Sequence, residues 1–79
     1  MNKTKQTEQK EIGRVKLSDT QELVVSLVDD EKVDLRIFLN TDSYKGPTKR
    51  GVRFYMFDDN WEKFKEIMEK VDKVYHKIA

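Results

Sequence analysis

The chain has no cysteine. That excludes disulfide staples and thiolate metal sites, and it suits a reducing compartment. A single histidine, His76, sits near the C-terminus, so a zinc centre built from histidines is excluded as well. Glycine is scarce, and Gly46 and Gly51 have neither the number nor the spacing of a phosphate-cradling loop. No run approaches the roughly 18 apolar residues of a membrane span. The stretch from Met1 to Glu11 has lysines but no apolar segment of the kind a signal peptide needs. These absences predict a soluble, cytoplasmic protein with no membrane association, no metal and no cofactor. Excess charge is missing too. Sixteen basic residues face 15 acidic ones, for a net charge of +1, which argues against a generally polycationic nucleic-acid binder.

What is present is one small domain of 79 residues. A chain this short has a marginal core, and disulfides, a metal or oligomerisation usually make up the difference. Only oligomerisation is left open here. The charge is also unevenly placed. Residues 43–57 carry Lys45, Lys49, Arg50 and Arg53 and no acid, whereas residues 29–42 carry five acids against two cations. A local basic patch attracts phosphate even on a nearly neutral chain.

Residues 1–10 are polar and lack any apolar period, which predicts a disordered tail followed by a single domain over residues 11–79. Ile12 to Leu17 alternates as a short strand, and Ser18-Asp19-Thr20 supplies turn chemistry. Leu23 to Val28 is a β-branched run, and Asp29-Asp30-Glu31 makes a second turn. Val33, Leu35, Ile37 and Leu39 then alternate with Lys32, Asp34, Arg36, Phe38 and Asn40, the cleanest period-two segment of the chain. Thr41 to Arg50 contains Gly46-Pro47 and reads as a longer loop. A fourth strand follows, with Val52, Phe54 and Met56 on one side and Arg53, Tyr55 and Phe57 on the other. The period changes at Asp58, where Asp58 or Asp59 can cap a helix. Trp61, Phe64, Met68, Val71, Tyr75 and Ile78 follow helical spacing, widened by Ile67 and Val74. Glu66–Lys70 and Glu69–Lys73 are favourable pairs on its opposite face. The expected fold is α+β: a four-stranded antiparallel curved meander and one C-terminal helix, ββββ-α.

Short connections make the strands antiparallel neighbours. One face then carries Val15, Leu17, Leu23, Val25, Leu27, Val33, Leu35, Ile37, Leu39, Val52, Phe54 and Met56, with the helix to cover it. The other carries Arg14, Lys16, Arg36, Phe38, Asn40, Arg53 and Tyr55. Taken singly, each of these is an ordinary strand residue. Together they interleave cations with aromatic rings on a solvent-facing sheet. Unpaired bases stack on such rings at roughly 1–3 kcal/mol each, while cations neutralise the phosphates between them. The helix stripe is wider than one sheet needs, so Met68, Val71, Val74, Tyr75 and Ile78 are expected to meet a second copy of the chain. Candidate catalytic groups are few. The acids of the two clusters, Asp29-Asp30-Glu31 and Asp58-Asp59, sit where turns and caps want carboxylates, and His76 lies near the chain end. The reading is of a non-enzymatic protein with no small-molecule substrate.

The run Ile12-Gly13-Arg14, the strand Lys32-Val33-Asp34-Leu35-Arg36-Ile37, the segment Lys49-Arg50-Gly51-Val52 and Trp61 in the first helical turn resemble the transcriptional positive cofactor four family. The resemblance is greatest to its short bacterial, YdbC-like branch, and it spans residues 11–78. It implies a homodimer joined through its helices and sequence-tolerant binding of single-stranded DNA, with roles in transcription regulation or genome maintenance. By position it implies contacts from Arg14, Lys16, Lys32, Arg36, Phe38, Lys45, Lys49, Arg50 and Arg53. Trp61 corresponds to the family's tryptophan and reads equally as an anchor beneath the sheet. The Gly51–Trp61 stretch is longer than in the eukaryotic pattern, which leaves open whether Tyr55 or Phe57 faces the ligand. Phosphates are expected along Arg14, Lys16, Arg36, Arg50 and Arg53, and bases on Phe38 and Tyr55. The alternatives are RNA binding and a purely protein-binding dimerisation module.

Overall fold

The computed structural model describes Glu8 to Ile78. The first seven residues, which make up most of the expected tail, lie outside the described residues. Four strands form one antiparallel sheet in the order β1 (Gln9–Lys16), β2 (Gln21–Val28), β3 (Lys32–Asn40), β4 (Lys45–Tyr55). One helix, α1 (Asn60–Ile78), follows. The meander-plus-helix architecture is the one the periodicity predicts.

β1 begins earlier than its apolar alternation suggests. Glu8 and Asp29 exchange hydrogen bonds, with the Asp29 N–H donating to the Glu8 carbonyl at 2.7 Å and the Glu8 N–H donating to Asp29 Oδ1 at 2.8 Å. Lys10 pairs with Asp30 at 3.2 Å. Polar cross-strand bonds thus extend the strand through Gln9 and Lys10, residues assigned above to the tail. The β2–β3 turn has Asp29 and Asp30 both left-handed, at φ 55° and 57°. That is the mirror-image turn whose twist matches a hairpin, and aspartate tolerates it better than most residues.

The expected loop over Thr41–Arg50 is corrected. Strand β4 starts at Lys45 and passes through Gly46-Pro47, which pair with Leu39 and Phe38. Proline is compatible with a strand here because β4 is an edge, where a missing N–H forfeits no ladder bond. Gly46 takes φ 144°, a conformation side chains rarely allow. An irregularity opposite Ile37 absorbs the extra residues, and Thr48 Oγ1 donates to the Ile37 carbonyl at 2.8 Å. A second bulge lies in β1, between Glu11 and Gly13.

The helix junction also departs from expectation. Asp58 and Asp59 both have left-handed backbones, at φ 58° and 67°, not the extended geometry a capping carboxylate needs. The junction is closed by Asn60 instead, whose Nδ2 donates to the Tyr55 carbonyl at 2.9 Å. The Asp59 carbonyl accepts the first helical bond from Lys63 at 2.9 Å. Among the described residues the helix ion pair is Glu62–Lys65, and His76 Nδ1 lies 3.4 Å from an Asp72 carboxylate oxygen, while Glu66–Lys70 and Glu69–Lys73 do not pair.

The largest correction concerns the core. The helix was expected to cover the apolar face, yet it touches only β4 and buries none of its residues. Phe64 meets Phe54 at 5.6 Å between ring centroids and Trp61 at 5.7 Å. Beyond that first stretch the stripe is exposed. On the sheet, Val15, Leu17 and Val52 of the expected core are each more than half exposed. The best-buried side chains are Val24, Val28, Ser26 and Asp34, with Val33 the one from the apolar face. The first four belong to the cationic face, where longer neighbours flank them: Val24 pairs with Arg14 on one side and Arg36 on the other.

Candidate functional site

The register assembles the cationic face. Arg14, Val24, Arg36 and Gly51 form one row across all four strands. Lys16, Glu22 and Phe38 form the next row, ending at Pro47. Asp34 pairs with Arg53 and Lys32 with Tyr55. Nearly all the predicted sheet residues therefore share one surface. Lys45, opposite Asn40, joins them from β4, and Lys49 and Arg50 lie exposed on the same strand.

Two arginine clusters organise this surface. In the first, Arg14 is held by two carboxylates. Its Nε and Nη2 donate to Glu11 at 2.7 and 2.6 Å, and its Nη1 donates to Glu22 at 2.7 Å. The hydrogen bonds hold the Glu11 carboxyl below the usual carboxylate range and push the Arg14 guanidinium further up. The same guanidinium lies over Phe38, 5.4 Å from the ring centroid, a cation–π arrangement.

In the second cluster, one carboxylate serves two arginines. The Asp34 side chain is 1% exposed. It accepts from Arg36 Nε and Nη2 at 3.0 and 2.7 Å, and from Arg53 Nε at 3.3 Å. Arg36 Nη1 donates to the Thr48 carbonyl at 3.0 Å. Hydrogen bonding from Arg36 outweighs the desolvation of Asp34 and lowers its pKa. Gly51 makes room for this arrangement. A side chain there would place its first carbon 2.4 Å from the Leu35 carbonyl oxygen and 3.2 Å from Arg36 Cζ.

The aromatic groups fall into two sets. Phe38 sits beneath Arg14, and Lys32 lies 5.0 Å from the Tyr55 ring centroid. Phe57 stacks on Tyr55 at 6.2 Å with an interplanar angle of 23°. Tyr55 and Phe57 thus extend one exposed aromatic surface together, and both are about half exposed. The signal for Phe57 in the sequence is a large aromatic residue past the end of a strand, before acids that start a turn. Trp61, by contrast, joins Phe64 and Phe54 at the helix–sheet junction. Phe54 pairs with Val33 on the apolar side, so the structure gathers Trp61 there and not with the cations. Tyr44 is tied into its loop through a hydroxyl bond to the Pro47 carbonyl.

The predicted dimer residues Met68, Val71, Val74, Tyr75 and Ile78 remain 42–80% exposed along one helix. A shallow groove at the junction is lined by Phe54, Asn60, Lys63, Phe64 and Ile67, so the apolar surface continues from sheet to helix. Among the described residues, no group of three or more histidine, cysteine or acidic side chains could hold a metal ion. Among the same residues no helix is long and apolar enough to cross a membrane. No family model matches the chain, and neither a curated protein nor a solved structure matches it.

Proposed function

We propose that this chain is a non-enzymatic, sequence-tolerant single-stranded-DNA-binding module that acts as a homodimer in the cytoplasm. The observation that carries the reading is the cationic sheet face. Tyr55 and Phe57 present half-exposed rings beside it, and the partly covered Phe38 ring lies on it beneath Arg14, among Lys16, Lys32, Arg36, Lys45 and Arg53. Duplex DNA hides its base faces inside the stack, so exposed rings favour an unpaired strand. Stacking accepts every base, which makes the binding tolerant of sequence. A role in transcription regulation or genome maintenance follows from the resemblance to the transcriptional positive cofactor four family.

The dimer has its own support. One helical stripe and the adjoining groove present a continuous apolar surface that the described residues do not cover. A second copy offers the same stripe, and a twofold contact between helices covers both at once.

The test is fluorescence anisotropy of a labelled oligo-dT of about twenty nucleotides at two salt concentrations, with duplex and matched RNA as competitors. Tight, salt-sensitive binding that duplex does not displace is expected. Phe38→Ala weakens it by about 1–3 kcal/mol with little change in salt dependence. Competition by RNA equal to that by DNA would turn the reading towards RNA. Absence of binding at low salt would turn it towards a protein-binding dimer.

A further inference from the structure

The cationic face is divided electrostatically along its length. On β1 and β2 it carries Arg14 and Lys16, matched by Glu11 and Glu22. On β3 and β4 it carries Lys32, Arg36, Lys45 and Arg53, against Asp34 alone. Lys49 and Arg50 add further charge on the β4 side. The Arg14 cluster by itself holds two carboxylates for one guanidinium, and all three of its nitrogens are already hydrogen-bonded. A phosphate approaching Arg14 meets two carboxylates bonded directly to that guanidinium. What Arg14 still offers is the outer flat face, turned away from the Phe38 ring that it lies over.

Resting on the single-strand reading above, we infer that the site has a sidedness. The ligand's phosphates follow the β3–β4 side, and its bases turn towards β1, onto the outer face of Arg14, which the Phe38 ring backs from beneath. Arg14 is then a base-stacking group and not a phosphate contact. Glu11 and Glu22 are positioning residues that hold it flat and cancel its charge. Arg53 is different. Only its Nε is bonded to Asp34, at 3.3 Å, and its side chain is 40% exposed. Its remaining N–H groups are open to a phosphate.

The experiment compares wild type, Arg14→Gln and Arg53→Gln, with circular dichroism to establish that each is folded. Each is titrated with oligo-dT over a range of salt, and with an oligonucleotide of the same length made of abasic sites. Arg53→Gln is expected to flatten the dependence of log K on log salt by about 0.7. Arg14→Gln is expected to leave that slope unchanged and to weaken oligo-dT binding about two- to fivefold. On the abasic strand, which has phosphates but nothing to stack, the Arg14→Gln effect disappears and the Arg53→Gln effect persists. A slope reduced by Arg14→Gln as much as by Arg53→Gln overturns the sidedness and leaves single-strand binding standing. A wild-type protein that binds neither strand overturns both.

Discussion

At the scale of single residues, Asp34 has the most consequential surroundings. It is shut from water yet charged, and it is bonded to two arginines that reach the surface. Its carboxyl is depressed in the folded protein by Arg36 first, with Arg53 adding to the effect. A carboxyl depressed on folding stabilises the protein fully above its unfolded pKa of about 3.9 and loses that contribution as pH falls through the lower folded value. Asp34→Asn is therefore expected to cost about 2 kcal/mol at neutral pH in urea unfolding. The gap between variant and wild type should narrow as pH drops below about 4. A gap that stays constant to lower pH would show that the charge is not what matters. The position of Asp34 beside Arg36 was visible in the alternation of β3, since residues two apart share a face. Its partnership with Arg53 and the clamp of Glu22 on Arg14 were not, because both depend on register between strands, which alternation along one strand does not define.

At the scale of elements, β3 was legible because its alternation is unbroken from Lys32 to Asn40, and α1 because a 3.6-residue period replaces it. The start of β4 was hidden by Gly46-Pro47, a pair that ordinarily marks a turn. An edge position makes both residues acceptable in a strand, and edge status is a property of the whole sheet. Gly51 shows how closely β3 and β4 approach. Gly51→Ala would set a methyl group against backbone, 2.4 Å from the Leu35 oxygen and 2.9 Å from Arg36 Cα. The strands must separate to admit it, at an expected 1–3 kcal/mol, and the Arg36 guanidinium must shift by a few tenths of an ångström. Urea unfolding and oligo-dT affinity should both fall. A variant of unchanged stability would mean that the bulge opposite Ile37 absorbs the methyl group freely. The facing of side chains was readable strand by strand, but their depth was not. Alternation divides residues between two faces and does not say which face is covered, and here the small residues between long charged ones are the buried set.

At the scale of the whole molecule, the radius of gyration of 15.6 Å exceeds the roughly 12 Å of a compact chain of this length. The excess matches a helix that docks at one end and leaves its stripe bare. Val71→Lys puts a charge in the middle of that stripe, where it is 55% exposed in the single chain. It should leave the fold of one chain intact and convert a sedimenting dimer to monomer. Wild-type thermal stability should rise with concentration and that of the variant should not. A wild type that sediments as monomer at micromolar concentration would dispose of the helix contact. The two edge strands of the sheet, β1 and β4, bear on how far association can go. Pro47 interrupts the donors along the β4 rim, and the bulge between Glu11 and Gly13 twists the β1 rim, so neither is a good template for another strand. Growth by strand addition is discouraged on both sides, whereas the proposed pairing through helices would be closed by its own symmetry, so a chain associating in that way would stop at two without polymerising into fibrils.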